Sequence, residues 1–255
     1  MIKTSEEDVS KLLDNLGVKK NDTVMIHSAL YTLGYIQNGI DGFYKALRKK
    51  IGKDGTIIVP TFTYSFRRNQ IFDVRKTKVP NEIGVFSEFL RNRKGIVRSI
   101  DPLFSMAAEG PKAEYLMRRE SIHSFGENSI YKKIFKENTL ILGFGINYST
   151  GFAAFMHLEK LADVDYRYNL ELKGISIDND GNKYNDKAIH FARNEKLYPN
   201  GKTNREPIGH KMEDEGISKY INYGSGKHIS IRTNSFEDFI LNQLIKRQHI
   251  MFEPN

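Results

Sequence analysis

Apolar and polar positions follow two rhythms along this chain. Up to Tyr166, short apolar runs alternate with stretches whose apolar residues recur every three or four positions. The runs "TVMI" (Thr23–Ile26), "TIIVP" (Thr56–Pro60) and "TLILGF" (Thr139–Phe144) are rich in β-branched residues and short. Each predicts a buried strand, and "GIVRS" predicts a further short one. The amphipathic stretches predict helices over 4–16, 40–51, 81–92, 111–118, 129–137 and 151–163. In the first, Thr4 with Glu7 three residues later reads as an N-terminal cap, and Gly17 as the stop. In the second, Phe43, Leu47 and Ile51 fall on one face.

Beyond Tyr166 the period shortens to two. "YRYNLELKGISIDNDGNKYNDKAIHFAR" alternates on both sides of a "DNDGN" turn and predicts a β-hairpin. "YINYGSGKHISIRT" predicts a second strand pair, and 235–245 a closing helix with Ser235 as its cap. Alternating strands and helices followed by paired strands define the fold class: α/β, with a central mixed or parallel sheet, flanking helices and a β-rich C-terminal portion. No Pro-, Gly- or Ser-rich linker and no repeat divides the chain. A single integrated domain over 1–255 is expected, with an α/β portion to 165 and a β-rich portion from 166.

Composition narrows the function classes. Hydrophobic residues are 39% and charged residues 27% of 255, as in a folded globular protein. No apolar run approaches the roughly 20 residues of a membrane span, and the N-terminal segment is acidic and amphipathic, unlike a leader. No membrane partner and a cytoplasmic location are expected. Cysteine is absent, which removes disulfides, thiolate metal sites and a cysteine acyl-enzyme. The net charge of +8 suits anionic partners such as nucleic acid, phosphorylated cofactors or nucleotide-linked substrates. The basic residues are dispersed and form no nucleic-acid motif, so nucleic acid is not an expected partner. The 7 histidines show neither H-x-x-x-H nor H-E-x-x-H spacing, and no metal site is expected.

Three segments could carry chemistry. "VMIHSALYTLGYIQNG" ends a strand in a His-Ser pair and glycines, a form that either presents backbone groups to a ligand or merely turns the chain. It lacks both the Walker A and G-x-G-x-x-G patterns. "RSIDPLFSMAAEG" places Arg98, Ser99, Asp101 and Ser105 in an otherwise apolar segment around Pro102. "STGFAAFMHLEKLADVDYRY" puts His157 on an apolar helical face, with Glu159 about 200° around the helix from it. That pair is either a general base with a remote carboxylate or two residues of the core.

Taken in order, these segments resemble the aminoglycoside 3-N-acetyltransferase family, the antibiotic acetyltransferase fold that is distinct from the GNAT fold. The similarity is carried by "HSALYTLGYIQNG", "GTIIVPTFTYSF", "FDVRKTKVPNEIGVFSEFL", "RSIDPLFSMAAEG", "SFGENSIYKK" and "HLEKLADVDYRY". The resemblance implies acetyl-CoA as cosubstrate and direct transfer to an amine. It also implies that His27, Ser28, Ala29 and Leu30 form the pantetheine and phosphate loop. Arg98, Ser99 and Ser105 match its second wall, and His157 and Glu159 its catalytic pair. Two departures stand out. Asp101 occupies a position where the family commonly has His, and joins the catalytic set here. The family's Thr-x-x-His-x-x-Glu reads Ala154-Phe-Met-His157-Leu-Glu159. Alignment on Tyr166-Arg167 puts Met156 at the base position, and alignment on His157 needs a one-residue deletion. His157 is the expected base.

The implied acceptor is a small-molecule amino sugar, nucleotide-linked or from a surface-glycan pathway, because a basic chain is a poor match for polycationic antibiotics. Tyr64, Asp73 and Arg193 are its candidate contacts. The alternatives are a resistance enzyme acting on aminoglycosides and a catalytically degenerate protein that binds coenzyme A or nucleotide. A homodimer is the expected assembly.

Overall fold

The computed structural model describes residues 2–254. The strands of its two largest sheets are β1 (Thr23–Ser28), β2 (Thr56–Pro60), β3 (Ile71–Asp73), β4 (Val97–Arg98), β5 (Met106–Glu109), β6 (Leu140–Phe144), β7 (Arg167–Ile177), β8 (Lys183–Arg193), β9 (Ser218–Tyr223) and β10 (Gly226–Arg232). Seven of these form one sheet in the order β9-β10-β6-β1-β2-β5-β4. β1 runs parallel to both β2 and β6, and the other pairings are antiparallel. The sheet is therefore mixed, as expected.

The three apolar runs take its centre because both their faces are buried. Along β1, Val24 and Ile26 join one apolar cluster and Met25 the other. That alternation follows from the two-residue period of a strand and leaves no polar face for water. The helices Glu6–Asn15 and Gly39–Ile51 cover the first side. Helices Ala154–Leu161 and Thr233–Lys246 cover the second through Phe155, Leu158, Phe236 and Ile240.

The β-rich portion does not stand apart. β10 pairs with β6, so β9 and β10 extend the central sheet. The predicted hairpin is β7–β8, in register from Arg167↔Arg193 to Ile177↔Lys183, with β3 added parallel to β7.

Several boundaries differ from the sequence expectation. Ser5, not Thr4, caps the first helix, and its capping-box partner is Asp8. Thr4 is instead buried and donates to the Leu33 carbonyl. The stretch 81–92 splits into a 3-10 turn, Asn81–Ile83, and a helix, Val85–Arg91. Gly84 separates them at φ 112°, where a side chain would place its Cβ 2.6 Å from the Ser28 carbonyl oxygen. The last helix starts at Thr233, before Ser235. β5 and the helix Glu206–Asp214 have no counterpart in the sequence expectation.

Candidate active-site cavity

A cavity of about 320 Å³ opens at the carboxyl ends of β1, β2 and β6. Such ends are where open α/β sheets collect ligands, since the connections diverge there. β1 contributes His27 and Ser28, followed by Ala29. The exit of β2 contributes Pro60, Phe62 and Tyr64. The segment after β6 contributes Ile146 and Ser149–Ala153, and the following helix contributes Met156. Ile83, Phe104, Glu82 and Arg205 complete the wall.

Close local packing holds this shape. The Ala29 N–H donates to the Phe144 carbonyl at 2.7 Å, pinning the loop after β1 to β6. Gly145, at φ 65°, lets the next strand exit pass Thr32, whose Oγ1 would lie 2.2 Å from an added Cβ. Across the cavity, the Ser149 N–H donates to Glu206 Oε1 at 2.7 Å, and Ser149 Oγ accepts from the Arg205 N–H at 2.9 Å. These two bonds fix Arg205 at the wall.

Arg205 is 5% exposed and belongs to a buried ion cluster. Its Nη2 lies 2.9 Å from Glu159 Oε1, while Arg167 Nε lies 2.6 Å from Glu159 Oε2. Burial alone would raise the Glu159 pKa, but the two guanidinium groups outweigh it and hold the pKa below the usual carboxylate value. Glu159 is fully buried and does not line the cavity; its carboxylate is engaged by Arg167 and Arg205.

The two histidines of interest have different surroundings. His27 lines the cavity, packs 5.7 Å from the Phe152 ring, and has no hydrogen-bond partner at Nε2. Burial lowers its pKa to about 4, so the ring is neutral at pH 7. His157 is not at the cavity. It is fully buried between Phe135 and Tyr131, at ring separations of 4.7 and 6.0 Å. The Gly126 N–H donates to its Nδ1 at 3.1 Å, and burial lowers its pKa to about 3. The expected His157–Glu159 pair is thus not assembled at the cavity, and Met156 holds the helix position that faces it.

The remaining sequence candidates divide in the same way. Ser28, Ala29 and Tyr64 line the cavity, whereas Leu30 packs into the apolar cluster behind the loop. The expected second wall is a buried staple. Arg98 donates from Nε, Nη1 and Nη2 to Thr61, Val74, Thr77 and Ser105. Ser99 Oγ accepts from the Met106 N–H, and Ser105 Oγ donates to the Thr61 carbonyl. Asp101 is a turn former whose Oδ1 accepts from the Leu103 and Phe104 N–H groups at 2.9 and 3.0 Å. Asp73 likewise accepts from the Arg75 and Lys76 N–H groups. Arg193 is exposed, pairs with Glu195 and lies away from the cavity. Arg205 was missed. Its only sequence signal is the helix it precedes, marked by Pro207 and by Ile208 and Met212 four residues apart.

Among the described residues no group of three His, Cys, Asp or Glu side chains could hold a metal ion, and no helix is long and apolar enough to cross a membrane.

With this geometry in view, the chain can be placed. It belongs to the aminoglycoside 3-N-acetyltransferase family, whose model matches residues 25–244. It is 27% identical over 179 residues to aminoglycoside N(3)-acetyltransferase III of a Salmonella species, covering 63% of this chain and 62% of that protein. It is also 27% identical to aminoglycoside N(3)-acetyltransferase VII of Streptomyces paromomycinus, covering 89% of this chain and 86% of the relative. The chain thus spans less than two thirds of the first relative and most of the second. Among solved structures, AAC-IIIb in a binary complex with CoASH aligns at TM-score 0.81 and 21% identity, over 96% of this chain and 98% of the other. Sisomicin-bound AAC-VIa aligns at TM-score 0.82 and 20% identity, over 96% and 99%. These likenesses establish the antibiotic acetyltransferase fold.

Proposed function

We propose that the protein is an acetyl-CoA-dependent N-acetyltransferase whose acceptor amine sits on a sugar or cyclitol ring. The observation that carries this is the cavity at the ends of three parallel strands, with His27, Ser28 and Ala29 on one wall, in a chain of this family. Of the two acceptors weighed from the sequence, the relatives' names support an aminoglycoside over a glycan precursor.

The residues present fit the thioester end of coenzyme A, which supplies the acetyl group when bound. The cavity is narrow, with Phe62, Phe104 and Phe152 as apolar walls and Ser28 as a polar one. The Ala29 N–H is committed to Phe144, and Ser105 is fully buried, so neither serves as an oxyanion donor.

Attack by nitrogen on the thioester carbon breaks the C–S bond and leaves a cationic nitrogen that must lose a proton. His27 is the histidine at the cavity, neutral and unpartnered at Nε2. A base of this strength does not strip a free ammonium ion. It takes the proton from the far more acidic nitrogen formed on attack and returns it to the leaving thiolate. The acceptor therefore binds as a neutral amine. A turnover panel with acetyl-CoA, aminoglycosides and amino sugars tests this. Release of the CoA thiol with at least one ring amine is expected, and no release with any of them contradicts transfer.

Met156 at the cavity favours a second reading, binding without turnover. The same panel separates the two.

A further inference from the structure

We propose that Tyr64 is the platform for the acceptor: its aromatic ring packs against the C–H face of the sugar or cyclitol that carries the reacting amine. This rests on the acetyltransferase reading and adds to it the residue that selects a ring over an open-chain amine.

Tyr64 is half-buried and lines the cavity. Phe62 and Phe104, which line it too, meet the Tyr64 ring at centroid distances of 6.4 and 5.2 Å and interplanar angles of 68° and 81°. The three make one aromatic wall, and neither phenylalanine lies stacked on Tyr64. Sugar and cyclitol rings present apolar C–H faces between polar edges, and an aromatic plane takes such a face out of water.

The backbone holds this ring in place against its own preference. Tyr64 sits at φ 50°, ψ 32°, the left-handed region, which is uncommon for a bulky side chain. Such strain persists only where the surroundings over-determine it. Here the Thr63 and Tyr64 N–H groups both donate to the Leu103 carbonyl at 3.2 Å, and the Ser65 N–H donates to the Pro102 carbonyl at 2.8 Å. The Tyr64 carbonyl accepts from the Arg67 and Arg68 N–H groups at 3.0 and 3.2 Å. The Asp101 turn fixes Leu103 and Phe104 in their turn. Charge does not do the selecting. The charged groups acting on Tyr64 are Arg67, Arg68 and Glu82, and Glu82 pairs with Arg68 at 3.2 Å. Two cations to one carboxylate give no net pull on an ammonium group, so what this corner offers an acceptor is the aromatic plane.

Calorimetric titration of the full chain with sisomicin, kanamycin, glucosamine and, as an open-chain control, spermidine tests the platform. At least one ring amine is expected to bind at least about tenfold more tightly than spermidine. High salt should leave that ratio in place, because stacking is not screened. Tyr64→Phe should keep the preference. Tyr64→Asn, which suits the left-handed backbone but has no ring, should remove most of it and leave spermidine affinity within about twofold. The wild-type comparison stands even if this variant folds poorly. Ring amines no tighter than spermidine, no binding of any ring amine, a ratio that vanishes in high salt, or a folded Tyr64→Asn with the ratio intact overturns the proposal. Release of the CoA thiol with the same amines, assayed in parallel, decides the acetyltransferase reading separately. Transfer without a ring preference removes only the platform, and ring preference without transfer removes only the enzyme.

Discussion

The cavity wall at the end of β1 and the core beneath the helix Ala154–Leu161 each hold a buried histidine with an unpartnered ring nitrogen. Burial depresses the pKa of both. Only position tells them apart. His27 stands where three strand ends diverge, while His157 is enclosed by Phe135 and Tyr131 and spends Nδ1 on Gly126. A depressed pKa and a spare nitrogen therefore do not identify a catalytic histidine. Access to the cavity separates them, and by the same criterion Glu159 and the Arg98 staple lie behind the cavity while Arg205 lines it.

The largest expected effect breaks the support beneath the cavity. Glu159→Ala leaves Arg167 and Arg205 buried without their carboxylate, which should cost about 3–5 kcal/mol in urea unfolding. A loss of activity with unchanged stability would instead place Glu159 in the chemistry. Next comes Arg98→Ala, which strands the carbonyls of Val74 and Thr77. A loss of about 3 kcal/mol is expected, with the KM for acetyl-CoA unchanged in the folded fraction. A stable variant with a raised KM would restore Arg98 to the cofactor wall.

Acid should weaken the fold in a defined window. Burial lowers the pKa values of His27, His157 and His190 from 6.5 to about 4, 3 and 4. The unfolded chain then binds protons that the folded chain does not, so their contribution is complete above 6.5 and is lost as pH falls toward those folded values. Denaturant titrations from pH 7 to 4.5 should show stability falling with pH, and His157→Asn should make that slope shallower. An unchanged slope would mean that His157 is not buried as a neutral ring. The smallest effect is at Arg193→Ala, where kcat/KM should stay within about twofold. A larger loss would bring the exposed end of β8 into the acceptor site.

The strands were legible because a run buried on both faces leaves a compact apolar signature, as in β1 and β6. The loop after β1 was legible for the same reason, since it must follow that run. Arg205 was not, because the cavity gathers residues from 27–29, 60–64, 82–83, 104, 146–156 and 205, and nothing local marks that meeting. His157 falls one helical position from the residue that lines the cavity. A single step turns a helix by about 100°, enough to carry a side chain from the cavity, where Met156 stands, into the core. The staple of Arg98, Ser99 and Ser105 looked like a binding wall because buried polar residues look alike in sequence whether their partners are ligands or backbone.

The most direct test compares acetyl transfer by His27→Ala and His157→Asn, each with its folded fraction measured. His27→Ala should lower kcat about 100-fold, within the usual range for loss of a general base, and His157→Asn should leave it within about twofold. Loss of turnover in His157→Asn with His27→Ala fully active would contradict the assignment of the cavity histidine.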